Sequence, residues 1–139
     1  MNSITSGWAT YHEGQKFGWG FHVSDEDMQA FMRLSNDHNP IHTDSEFAQR
    51  KGFKAPIVFG MLLSSQVSRL IGEELADKHS MLTGMSMDFV SPAFVSDELK
   101  FFAELIMKSE ATHALDFKCK ITRDGKTLCR GSASAVWRP

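Results

Sequence analysis

Residues 113–137 read HALDFKCKITRDGKTLCRGSASAVW. From His113 to Thr122 apolar and polar side chains alternate. Leu115, Phe117, Cys119 and Ile121 point one way, Asp116, Lys118 and Lys120 the other, which is the period of a strand with one buried face. Asp124-Gly125 is a hairpin turn signal, because the favoured tight turn needs positive φ at both central residues. Thr127–Trp137 completes the hairpin. Its small residues Gly131, Ala133 and Ala135 share one face and leave room there for a packed helix. Working outward, Glu98–Lys108 and Met81–Val90 read as strands, the latter ended by Ser91-Pro92. Near the N-terminus, Gly14–Val23 carries Phe17, Trp19 and Phe21 at period two.

Between the first strand and the rest the pattern is helical. Ser24 reads as an N-cap, with Asp25, Glu26 and Asp27 filling the positive first turn. Met28, Phe31 and Leu34 are expected near one face of that helix, which should stop before Pro40. A short helical turn is expected over Ser45–Arg50, with an interruption at Gly52. Pro56 can begin the next helix, which should run to about Ile71 and stop at Gly72. Leu63, Val67, Leu70 and Ile71 make its apolar stripe, and Gly60, Ser64 and Ser68 a second face of small side chains. The order predicts an α+β fold, with an antiparallel sheet wrapped around a central helix, in one domain spanning residues 1–139. Its core should unite Leu63, Val67 and Leu70 with Leu115, Phe117 and Ile121.

Composition narrows the function. A net charge of −2 without a Lys/Arg cluster gives no footprint for nucleic acid or an anionic membrane surface. No apolar run approaches the ~20 residues that span a bilayer, and Met1–Thr10 shows no signal-peptide pattern. Cys119 and Cys129 lack metal-type or redox-type spacing and read as buried thiols. A reducing cytoplasm is the expected compartment.

The stretch richest in chemistry is Ser35-Asn36-Asp37-His38-Asn39-Pro40-Ile41-His42-Thr43-Asp44. Asp37 and His42 are five apart, so no regular helix makes them neighbours. A turn at Asn39-Pro40 can aim both at one point, where a carboxylate and a neutral imidazole can share a water. Asn39 can brace either group. Such a loop can equally be turn chemistry. Asp37, His38, His42 and Asp44 also have metal-ligand chemistry, but their spacing is not diagnostic, and no metal is expected. Downstream, Ala55-Pro56-Ile57-Val58-Phe59-Gly60-Met61-Leu62 puts Gly60 near the start of the apolar helix. Free N–H groups and the positive end of the dipole lie there. Glycine lets a carbonyl oxygen approach, or serves close packing.

Together these stretches resemble the MaoC-like dehydratases, especially the (R)-specific enoyl-CoA hydratases. The resemblance is carried by Phe31, Leu34, Ser35, Asp37, Asn39, Pro40, Ile41, His42, Asp44 and Ala48. Pro56 to Leu62, Asp88-Phe89 to Pro92, Ser96 to Leu99 and Glu13-Gly14-Gln15 add to it. It implies a hot-dog fold and water addition to trans-2-enoyl thioesters of CoA or acyl carrier protein, or the reverse dehydration, without a cofactor. By the same resemblance Asp37 and His42 are the catalytic dyad, and Asn39 supports them. Gly60 donates to the thioester carbonyl, and Ser68 helps orient the site. A homodimer is implied, and the sheet's unpaired edges argue for it independently. Two positions depart from the family pattern: Asn36 stands where glycine is frequent, and Phe59 where histidine is frequent. A hot-dog thioesterase and a non-catalytic acyl-thioester-binding module are the alternatives.

Overall fold

A computed structural model describes residues 3–139 of the chain. The C-terminal hairpin forms as its alternation requires and sits inside a five-stranded antiparallel sheet. The strands are β1 (Lys16–Phe21), β2 (Ser80–Phe89), β3 (Leu99–Lys108), β4 (Ala114–Arg123) and β5 (Lys126–Trp137), in spatial order β1-β3-β4-β5-β2. Asp124 and Gly125 turn the hairpin with φ of 50° and 77°, the left-handed values such a turn demands. Across β4 and β5, Leu115 faces Ala135 and Phe117 faces Ala133. Bulky residues thus oppose small ones, and all four are buried.

The space left by those alanines is taken by α4 (Gly60–Arg69) and the π-helical turn Leu70–Glu74 that continues it. Leu63, Val67, Leu70 and Ile71 are buried in one cluster with Leu115, Phe117 and Ile121. Each such side chain stabilises the fold by about 1.5–3 kcal/mol. The sheet wrapped around a central helix is the hot-dog arrangement expected. The helix begins at Gly60 rather than Pro56. Phe59, just before it, has a ψ of 127°, outside the helical range, and the chain ahead of it is tied down elsewhere: Ile57 donates to the Ile41 carbonyl (3.1 Å) and Val58 to that of Ala93 (2.8 Å).

Helix α2 (Asp25–Ser35) opens with a reciprocal cap. Ser24 Oγ accepts from the Asp27 N–H (3.1 Å), and the Asp27 carboxylate accepts from the Ser24 N–H (2.9 Å). These bonds hold the Asp27 carboxyl below the usual carboxylate range. Such a cap contributes about 1 kcal/mol. Met28 is buried as expected, but Leu34 is 87% exposed. At 3.6 residues per turn, six positions carry Leu34 well round the helix from Met28, whereas Met32 stays near the core. Helix α3 (Ser45–Arg50) forms where the sequence places it.

Helix α1 (Ser3–Thr10) has no apolar period to announce it. Tertiary contacts hold it. Lys108 Nζ donates to the carbonyls of Trp8 and Tyr11 (both 2.9 Å), supplying partners where a helix end lacks them. Trp8 lies 5.5 Å, centroid to centroid, from Trp137 at the end of β5. No described helix is long and apolar enough to cross a membrane.

The strand β2 is an edge and unusually apolar for one. Met81 is 51% exposed, Leu82 40%, Met85 39%, Phe89 49% and the adjoining Val90 52%. By register Leu82, Met85 and Phe89 share the face of buried Ala135, Ala133 and Cys129. They therefore point to the helix side of the sheet, yet remain substantially uncovered.

Candidate active site

The loop between α2 and α3 is built by a succession of short polar bonds. Asn36 ends α2 in the left-handed region, at φ 60°. Glycine adopts this conformation most easily. Asparagine is among the few other residues that tolerate it. Its Oδ1 accepts from His38 Nε2 (2.9 Å). The Asp37 N–H donates to Ser35 Oγ (3.2 Å), and Asp37 Oδ1 accepts from the Asn39 N–H (3.0 Å). Asn39 Oδ1 in turn accepts from the Ile41 N–H (3.0 Å), capping the 3-10 turn Pro40–His42. Asp44 Oδ1 caps α3 by accepting from the N–H groups of Glu46 and Phe47. Of the four side chains with metal-ligand chemistry, His38 and Asp44 are thus engaged locally.

Asp37 and His42 are both presented by this loop. Asp37 is exposed, and no described protein group binds its Oδ2. His42 is half-buried. Its Nδ1 lies 2.8 Å from the Ile57 carbonyl oxygen, and its ring packs on Phe59, centroids 4.0 Å apart and planes 28° apart. No direct hydrogen bond joins Asp37 to His42 among the described residues. Each therefore keeps one polar atom free, Oδ2 and Nε2.

Phe59 links this loop to the central helix. It is the residue before Gly60 and caps α4 without a side-chain bond. The first N–H groups of the helix, including that of Gly60, are therefore left available. Gly60 is also packed closely. A Cβ there would meet the Phe89 ring at 3.0 Å, so both sequence readings of this glycine have a physical basis. Beside His42 lies a cleft of about 370 Å³, walled by Met28, Met32, Phe59, Phe94 and Val95. Ser64 is buried and donates to the Gly60 carbonyl (3.2 Å). Ser68 is exposed and lies near the far end of α4, eight residues beyond Gly60. The contacts that hold His42 were not foreseen. The only sequence signal was the aromatic Phe59 standing beside the helix glycine.

The profile of the MaoC like domain matches residues 9–123. The chain is 35% identical over 126 residues to the (R)-specific enoyl-CoA hydratase of Aeromonas caviae, covering 91% of this chain and 94% of that protein. It is 30% identical over 117 residues to a mitochondrial 3-hydroxyacyl-[acyl-carrier-protein] dehydratase of Arabidopsis thaliana, covering 81% and 69%. In structure it superposes on the (R)-hydratase of A. caviae involved in PHA biosynthesis with a TM-score of 0.87 and 33% identity, over 93% of this chain and 98% of that one. An unliganded R-hydratase of Pseudomonas aeruginosa matches with a TM-score of 0.84 and 27% identity, over 94% and 84%. The architecture, the loop and these likenesses agree: the chain belongs to the MaoC-like domain family.

Proposed function

We propose that the protein is a hydro-lyase that adds water reversibly across the C2–C3 double bond of trans-2-enoyl thioesters, giving (R)-3-hydroxyacyl thioesters. The observation that carries the reading is the pairing on one loop of Asp37 and His42. Each is fixed by backbone bonds through one polar atom and left free at the other. A water seated between Asp37 Oδ2 and His42 Nε2 is oriented by both. In hydration Asp37 takes a proton from that water as its oxygen bonds to C3. The electron pair of the double bond moves toward the thioester carbonyl, where the Gly60 N–H stabilises the growing negative charge on oxygen. A proton then returns from the dyad to C2, so one water is consumed and the dyad is regenerated. The thioester itself acidifies C2, and the scheme needs no cofactor. Asn39 holds the turn that aims His42. The thioester is carried by CoA or acyl carrier protein.

The active form is a homodimer in which β2 continues into β2 of a second copy. The uncovered apolar row on that edge supports this reading. Ser68, exposed on one protomer, would then act toward a site completed by two.

The direct test is a spectrophotometric assay with crotonyl-CoA and longer trans-2-enoyl-CoAs, with the product resolved on a chiral column. Loss of the enoyl absorbance with an (R)-product is expected. Release of free CoA without loss of the double bond would mean a thioesterase and would overturn the reading.

For Gly60, replacement by Ala is expected to lower kcat about tenfold, because a Cβ there displaces the Phe89 ring and crowds the N–H. The double variant Gly60→Ala/Phe89→Leu relieves the packing conflict. Its kcat stays low if the N–H must be approached closely. Full recovery of kcat would assign the glycine to packing alone.

A further inference from the structure

We propose that Phe59 is a positioning residue for His42: its ring, seated against the imidazole, holds the ring plane in which the tautomer selected by the Ile57 carbonyl presents Nε2. The inference rests on the assignment of His42 to the reaction. A carbonyl oxygen accepts and cannot donate. At 2.8 Å from it, Nδ1 carries the proton, and the lone pair of the neutral imidazole lies on Nε2. That bond anchors one atom of the ring and leaves the plane loosely defined, since the terminal torsion of histidine has broad wells. Phe59 removes that freedom, at 4.0 Å between centroids and 28° between planes.

Phe59 is itself immobilised. It is 2% exposed and packs on Phe31 of α2 at 4.7 Å. Its backbone is pinned between the Val58 N–H, which donates to Ala93, and the first turn of α4. Three rings thus run from the helix before the catalytic loop, through the start of the central helix α4, to His42. A histidine here would bring two ring nitrogens into a position that is almost fully buried, where each needs a partner. A phenyl ring needs none. The plane is kept without the polar atoms.

The test uses the full chain and two readouts. Proton–nitrogen NMR correlation spectra of the imidazole rings report the tautomer, with the His42 signals assigned by their loss in His42→Gln. Steady-state kinetics with crotonyl-CoA separate kcat from KM. In Phe59→Leu, apolar but not planar, the Nδ1–H pattern of His42 is expected to average. Its kcat should fall about tenfold or more, with KM changed less than about threefold. Phe59→Tyr keeps a planar ring and should retain most of the wild-type rate. A wild-type ring spectrum in Phe59→Leu, or a wild-type kcat, overturns the proposal. If Phe59→Leu melts below the assay temperature, Phe59→Met takes its place. If the unmodified protein hydrates no enoyl thioester, the functional reading fails, and the ring spectra still decide the role of Phe59.

Discussion

Asp37→Asn and His42→Ala are each expected to lower kcat at least about a hundredfold while the protein stays folded. General acid–base groups contribute on the order of 10²–10⁴ in rate, and both residues here would handle the protons of the same water. Asp37→Asn is the cleaner variant. Asparagine keeps an Oδ1 that can accept from the Asn39 N–H, so the turn at 3.0 Å survives while the ability to take a proton is lost. Asp37 is also exposed and packs little. His42→Ala removes more. The Ile57 carbonyl loses its partner and Phe59 loses a ring face, so a melting point lower by a few degrees is expected alongside the loss of rate. Thermal melts run beside the kinetics keep the two effects apart. Turnover near the unmodified rate by either folded variant would remove that residue from the reaction.

The second large effect is expected at the edge of the sheet. Met85→Lys should convert a dimer to a monomer at micromolar concentration, with light scattering moving from twice 15.6 kDa to 15.6 kDa. An inward-pointing charge on an edge strand is a device that proteins use to prevent pairing. In a two-fold contact the same substitution is felt twice. Met85 suits the purpose because it lies on the helix side of β2 and is 39% exposed. The ammonium can then reach solvent in a monomer and cannot in the joined sheet. Activity should fall with the mass if the site is completed across the interface. An unmodified protein that runs as a monodisperse monomer with full activity would end the dimer reading.

What could be read from the sequence was whatever rests on a local rule. The alternation from Leu115 to Ile121, the Asp124-Gly125 turn and the Ser24 cap each depend on residues close in the chain, and each formed in place. The loop from Asn36 to Asp44 stood out for its residue types. Features that depend on distant partners did not show. Helix α1 is held by Lys108, about a hundred residues away in the chain. The helix starts only at Gly60 because Ile57 and Val58 are tied to the distant carbonyls of Ile41 and Ala93 and Phe59 is not helical. Leu34 matched an apolar pattern, but α2 turns it away from the core. Most telling is His42. Its residue type suggested chemistry, whereas its tautomer and plane come from Ile57 and Phe59, fifteen and seventeen positions further on.

The contact between Trp8 and Trp137 gives the protein an optical reporter of its own. Two indoles 5.5 Å apart at a 44° angle are placed to couple their strong far-ultraviolet transitions, so a paired signal in circular dichroism is expected. The sequence holds three tryptophans, and the third, Trp19, stacks on Phe101 instead. None lies in the loop from Asn36 to Asp44. The paired signal therefore follows the seating of α1 on the end of the sheet, separately from any rearrangement of the loop that bears Asp37 and His42.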